Sequence, residues 1–280
     1  MIRPSRIGDE AGLKTLWEAA FGDSMAWIDL FFDTLYKPGS AIVWEVDGTI
    51  ASAIYLLDAG CASLPDGGTL STSYSYALAT LPAYRGQGIG SQVTQAAITH
   101  SVALGFDCNV ICPAEESLFP YYTRLGYTDT LSIGGKKIFL SDAPVDTIIN
   151  KIMSTDFSTY FQLRAGYLPA DSTTYTEAYL RYLALSCESS GGGLYRLESG
   201  DFSALCAVSH GEDRLFIREF LPASHAEVGT QALLRHFGVS GATVRTMAVN
   251  PLKQRPFALA AYAGEKKLPP GSGYFPFVLD

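Results

Sequence analysis

Two stretches of this chain hold residue types at spacings suited to chemistry. The first is Arg85-Gly86-Gln87-Gly88-Ile89-Gly90, three glycines alternating where a helical pattern begins. Glycine carries no Cβ, so a ligand can approach the backbone, and the first-turn N–H groups of a helix point outward with the positive end of its dipole. Such a turn suits a phosphate. A dinucleotide fingerprint would need G-x-G-x-x-G and a P-loop would end in Gly-Lys-Ser/Thr, so it is neither. The same residues also fit a glycine-rich turn with no ligand. The second stretch is Ser117 to Tyr127, SLFPYYTRLGY, where Leu118, Tyr122 and Leu125 fall at i, i+4 and i+7. That spacing turns Tyr122 to the sheet and Tyr121 to the flank. Spacing alone makes Tyr122 a core tyrosine whose hydroxyl finds a partner.

The elements around these stretches are legible. Ser73 to Leu81 alternates like a strand, and Leu81-Pro82 stops its ladder because proline has no N–H to donate. Ile89, Val93, Ala96, Ala97 and Leu104 then share one helix face. Upstream, Ile2 to Arg6 reads as a strand, Asp9 as the cap of a helix with Leu13, Leu16, Trp17 and Ala20 inward, and Asp23-Ser24 as the start of another. Asp47-Gly48 between Ala41–46 and Ile50–57 is a hairpin signal. Downstream, Phe106 to Cys112 is a strand, Pro120 is tolerated in a first helical turn, and Lys136 to Leu140 is a closing strand.

Taken with its neighbours, Thr80-x-Pro82-x-x-Arg85-Gly86-x-Gly88-Ile89-Gly90 resembles the R-x-x-G-x-G pyrophosphate loop of the GNAT superfamily of acyl-CoA N-acyltransferases. Tyr122-x-x-x-Gly126-Tyr127 resembles that family's second signature, Y-x-x-x-G-F/Y. The resemblance implies an α/β GNAT fold, a mixed central sheet flanked by helices, with acetyl-CoA as co-substrate and no metal. It implies that the strands bearing Thr80 and Cys112 splay apart. Leu78, Ala79 and Thr80 would then offer main chain to the pantetheine, and Arg85, Gly86, Gln87, Gly88, Ile89, Gly90 and Ser91 would hold the pyrophosphate. It gives Tyr122 the role of proton donor to the departing CoA thiolate. Within the two signatures, Arg85–Ser91 and Ser117–Tyr127, no cysteine or serine has an adjacent histidine to activate it, which favours direct attack by a primary amine over an acyl-enzyme.

The second half repeats the grammar of the first. After a joint at Ser141–154, Ser172 reads as the cap of a helix with Tyr175, Tyr179, Tyr182 and Leu183 inward; strands follow at 194–197, 202–208 and 215–221. Leu221-Pro222-Ala223 echoes Leu81-Pro82-Ala83 at a strand-to-helix junction. In place of the glycines stands Ser224-His225-Ala226-Glu227, a capping box that would close its own helix start. The expectation is therefore a tandem protein: residues 1–141 an acetyl-CoA-binding GNAT domain, residues 142–280 a degenerate GNAT-like domain completing the substrate cleft. Among tandem families it resembles the enhanced-intracellular-survival acetyltransferases, without their further C-terminal domain. There and in N-myristoyltransferases a C-terminal carboxylate helps deprotonate the amine, which makes Asp280 a candidate base. Asp280 reads equally as the exposed end of an edge strand, which Pro276 permits.

Composition narrows the partners. With 48% hydrophobic and 17% charged residues the chain describes a packed protein, and no apolar run is long enough for a membrane span. The N-terminus has no apolar signal-peptide core, so a cytoplasmic place is expected. Five cysteines without a C-x-x-C pair argue against a disulfide frame or a zinc site and read as small buried hydrophobes. A net charge of −8 disfavours nucleic acid. Residues 1–150 hold 8 Lys/Arg against 16 Asp/Glu, whereas residues 151–280 hold 12 of each. The acidic half would attract a cationic amine, a small polyamine, an aminoglycoside-like molecule or a lysine or N-terminal amine of a peptide, or it would simply aid solubility. The expected function is N-acetyl transfer to such an amine; the alternative is a non-catalytic acyl-CoA-binding regulatory module. Oligomeric state is open.

Overall fold

A computed structural model of the protein describes residues 1–64, 66–141, 149, 151–168, 172–200, 202–247, 255–268 and 275. The first half runs β1 (Ile2–Pro4), α1 (Glu10–Phe21), α2 (Met25–Thr34), β2 (Ala41–Val46), β3 (Thr49–Ser63), β4 (Thr69–Thr80), α3 (Ile89–Ala103), β5 (Cys108–Ile111), α4 (Phe119–Arg124) and β6 (Asp129–Phe139). Ser24 caps α2 through the Trp27 N–H, and Asp47 and Gly48, both at positive φ, form the expected two-residue hairpin turn. Asp9 does not cap α1. Its carboxylate takes two bonds from the Arg3 guanidinium, at 2.6 and 2.9 Å, because a bidentate charged donor outcompetes a helix N–H. Two other expectations shift. The strand β6 starts at Asp129 rather than Lys136, and Leu104 is an exposed helix end, the inner stripe of α3 being Ile89, Val93, Thr94, Ala97 and Ser101.

The second half runs β7 (Lys151–Ser154), α5 (Phe157–Ala165), β8 (Thr173–Thr174), α6 (Glu177–Ser189), β9 (Gly193–Ser199), β10 (Phe202–His210), β11 (Arg214–Leu221), α7 (Ala226–Phe237), β12 (Gly241–Thr246) and β13 (Arg255–Tyr262). Thr176, not Ser172, caps α6, since the residues after Ser172 are drawn into pairing with β3. Among the cysteines, Cys108, Cys187 and Cys206 are buried, Cys112 is half-buried and Cys61 is exposed.

One continuous sheet joins the halves in the order β1-β2-β3-β4-β5-β13-β6-β12-β11-β10-β9-β7, with β8 beside β3. Its two wings repeat a pattern. β3 and β4 are antiparallel and β4 and β5 parallel across α3; β10 and β11 are antiparallel and β11 and β12 parallel across α7. The wings meet on β6, whose residues 129–133 pair with β13 and whose residues 134–139 pair with β12. Thus β13, from late in the chain, fills the place between β5 and β6. The core is shared as well: Tyr182 of α6 packs edge-on against Phe31 of α2, which touches Trp17 and Tyr55. Buried aromatics of this size each contribute roughly 1.5–3 kcal/mol of hydrophobic burial.

Candidate active site

The site begins where β4 and β5 part. Their parallel pairing runs from Thr72–Ser75 against Cys108–Ile111 and stops, while β4 continues on β3 to Thr80. Ala77 to Thr80 therefore lie beyond the ladder with β5. A bulge sharpens the divergence: Tyr55 opposes Tyr76 and Ala53 opposes Ala79, so Ala77 and Leu78 together face Ile54. Ala77 sits at φ 50, a left-handed conformation unusual for alanine. The bulge also reassigns faces, Leu78 packing against the core beneath α3 while Ala79 joins the core under α1 and α2.

A polar lock holds the two strands just before they separate. Asn109 donates to Ser73 Oγ at 2.7 Å and accepts from Ser75 Oγ at 2.9 Å and from the Tyr127 hydroxyl at 2.5 Å; Ser73 and Ser101 hydroxyls lie 2.6 Å apart. All five residues are buried. Sequence reading missed this group, although the alternation Ser71, Ser73, Ser75 on an otherwise apolar strand was its signal.

Beyond Thr80, a 3-10 turn at Pro82–Tyr84 leads into the glycine loop. Gly86 and Gly88 have φ of 75 and 73, Gly88 stands at the N-cap of α3 with no capping side chain, and a Cβ built on either would meet nothing within 4 Å. The loop needs glycine for its backbone and leaves that backbone open. Arg85 folds back, its Nε donating to the Thr80 carbonyl at 2.9 Å, and so ties the loop to the end of β4. Ser52 holds the same strand end from beneath, donating to the Ala79 carbonyl at 2.6 Å and lying 2.9 Å from Thr80 Oγ1. Ile89 is buried, so it can offer a ligand only its main chain. Tyr121, Thr80 and Leu78 converge on Gly90, each within 4.0 Å of where its Cβ would be.

Tyr122 faces the sheet as its spacing implies, 8% exposed in the core beneath α3, with its ring 5.0 Å from that of Tyr121 and 6.1 Å from that of Tyr127. Its hydroxyl makes no hydrogen bond among the described residues. Burial, with smaller contributions from the neighbouring Tyr121 and Cys112, pushes its pKa up to about 12. Tyr121 turns sideways, its hydroxyl 3.1 Å from Ser91 Oγ at the start of α3. His100 places Nε2 2.9 Å from the Gly39 carbonyl, a bond that ties α3 to the start of β2. Asp280 lies outside the described residues.

The second wing lacks such a loop. α7 begins at Ala226, straight after the 3-10 turn Ala223–His225, so the residues matching the glycine loop are wound into helix. The expected capping box is not formed. His225 holds the N-cap position, and Glu227 instead pairs with Lys136 of β6, whose ammonium is a stronger partner for a carboxylate than a backbone N–H. Where the first wing has Ala79, the second has the buried Glu219, held by Arg164 at 2.9 and 3.0 Å.

Comparison with known proteins agrees with this arrangement. The family model for the acetyltransferase (GNAT) domain matches residues 1–129, ending where β6 begins. No curated protein matches the chain in sequence. Among solved structures, a probable N-acyltransferase from Enterococcus faecalis V583 superposes with a TM-score of 0.68 at 14% identity, over 94% of this chain and 72% of that one. Eis1 from Mycobacterium abscessus gives 0.63 at 15%, over 94% and 73%. A tandem GNAT protein from the clavulanic acid biosynthesis pathway gives 0.54 at 14%, over 95% and 99%. Residues 1–129 thus match the acetyltransferase (GNAT) domain family, in a chain whose whole fold is shared with these solved structures, a tandem GNAT protein among them.

Proposed function

We propose that the protein is an N-acetyltransferase that moves an acetyl group from acetyl-CoA to a primary amine in a ternary complex. The carrying observation is the alignment of three features on one gap: the end of β4, Ala77–Thr80, running on beyond its ladder with β5, an open glycine loop at the start of α3, and the Tyr122 hydroxyl, which makes no hydrogen bond among the described residues. Residues 1–141 would hold the acetyl-CoA and residues 142–280 would complete the cleft for the amine. Gly86, Gln87, Gly88, Gly90 and Ser91 would hold the diphosphate by main-chain N–H and hydroxyl donors, with Arg85 fixing the loop. Leu78, Ala79 and Thr80 would line the pantetheine. N–H groups along this strand beyond its ladder with β5 would stabilise the oxyanion that forms when the amine attacks the thioester carbonyl.

Tyr122 would then meet the departing sulfur. An ordinary thiol has a pKa of about 8.5, below the value of about 12 that burial gives this phenol. Tyr122 would therefore meet the sulfur as a neutral hydrogen-bond donor, stabilising the charge that gathers there as the C–S bond breaks. The acidic first half favours a cationic amine. The test is thiol release from acetyl-CoA with pooled polyamines, aminoglycosides and peptides. Wild-type protein should release thiol with one pool. Tyr122→Phe should lower that turnover by about 10² to 10⁴, the usual span for a general acid, with acetyl-CoA affinity little changed. Tight acetyl-CoA binding with no release in any pool would instead favour a non-catalytic acyl-CoA-binding module.

A further inference from the structure

Neighbouring residues on a helix point about 100° apart, so a Tyr122 turned into the sheet sends Tyr121 sideways, and what lies there is the first turn of α3. Tyr121 and Ser91 hydroxyls stand 3.1 Å apart. Gly90 lies between them and the strand: a Cβ there would be 3.6 Å from the Tyr121 hydroxyl and 3.7 Å from Thr80 Oγ1. The two hydroxyls carry two protons between them, and one hydrogen bond uses one. Among the described residues neither makes another bond, so one O–H remains to be given away. This holds whichever of the two is the donor. The spare donor sits on the helix start that the open glycines lead into, where the dipole and unpaired N–H groups favour an anion.

We infer that Tyr121 is a positioning residue for the diphosphate of acyl-CoA. It holds Ser91 so that the spare O–H of the pair meets a phosphate oxygen, and it ties α4 to α3. Seating the diphosphate thereby also fixes the helix that carries Tyr122. The inference rests on the cradle reading given above. Its test is a double-mutant cycle of acetyl-CoA dissociation constants for wild type, Tyr121→Phe, Ser91→Ala and the double variant, with Gly88→Asp measured beside them. Phe keeps the ring that packs on Tyr122, and a thermal melt of each variant establishes folding. Tyr121→Phe should weaken binding by about 5- to 10-fold, the scale of one hydrogen bond. The double variant should be no weaker than Ser91→Ala alone, because the two hydroxyls act as a unit. Affinity within twofold of wild type for Tyr121→Phe, or losses that multiply in the double variant, would overturn the inference. If Gly88→Asp abolishes binding in that case, the cradle stands without Tyr121; if Gly88→Asp binds normally, the cradle itself fails.

Discussion

Gly88 and Tyr122 are the residues on which the proposed site would depend, for opposite physical reasons. Gly88 contributes an absence: at φ 73 with open space around it, it leaves donors uncovered. Asn and Asp tolerate this conformation better than other side chains, so both replacements should fold alike, yet only Gly88→Asp sets a carboxylate among the phosphate oxygens. Acetyl-CoA affinity should fall by at least about 10-fold more in the Asp variant than in the Asn variant, by calorimetry. Equal affinities would show that no anion sits there. Tyr122 would contribute a proton held by burial. Because the charged form is disfavoured, its donating form persists through the whole neutral range. The pH profile of kcat should therefore rise as the amine loses its proton and show no falling limb below about pH 10. A falling limb below pH 10 that vanishes in Tyr122→Phe would contradict this. Both residues were readable in the sequence, since glycines alternating at a helix start and a tyrosine at i, i+4 spacing are local signals. The hydroxyl pair of Tyr121 and Ser91 was not, because contact between α3 and α4 depends on how both pack on the sheet.

At the scale of elements, β4 does the work of opening the sheet. Its bulge places Ala77 in the left-handed region, a cost of order 1–3 kcal/mol that the surrounding ladder must offset. Ala77→Val should lower unfolding free energy by about 1–3 kcal/mol, since a β-branched side chain fits that region worst. Ala77→Gly should stay within about 1 kcal/mol of wild type, relief at φ being offset by chain entropy. Chemical denaturation measures both, and a fully stable Val variant would mean the bulge relaxes at no cost. Nothing in the string Ser-Tyr-Ala-Leu-Ala-Thr announces a bulge, because the extra residue is defined by its partner on β3. The same holds for β13 and α5, which the sequence reading passed over. Apolar runs such as Phe257 to Tyr262 do not say which strand they join, and α5 lacks a clear apolar stripe. Strands bounded by turn chemistry, as at Asp47-Gly48, were legible in place.

At the scale of the whole molecule, the two wings exchange strands through β6 and β13, and they share the aromatic core around Phe31 and Tyr182. A fragment of residues 1–141 would leave β5 without its β13 neighbour and expose buried rings. It should be insoluble or unfolded by circular dichroism, and a folded fragment that binds acetyl-CoA would refute that interdependence. The echo of Leu81-Pro82-Ala83 in Leu221-Pro222-Ala223 revealed the repeat, whereas the joining of the wings arises from pairings far apart in sequence. The repeat is unequal in form. One helix start is open over glycines, and the other is wound shut with Glu227 beside Lys136. Titration calorimetry with acetyl-CoA tests this most directly. The account predicts one site per chain in wild type and in Glu227→Ala, and none in Gly88→Asp. Two sites per chain, or a site that survives Gly88→Asp unchanged, would contradict it.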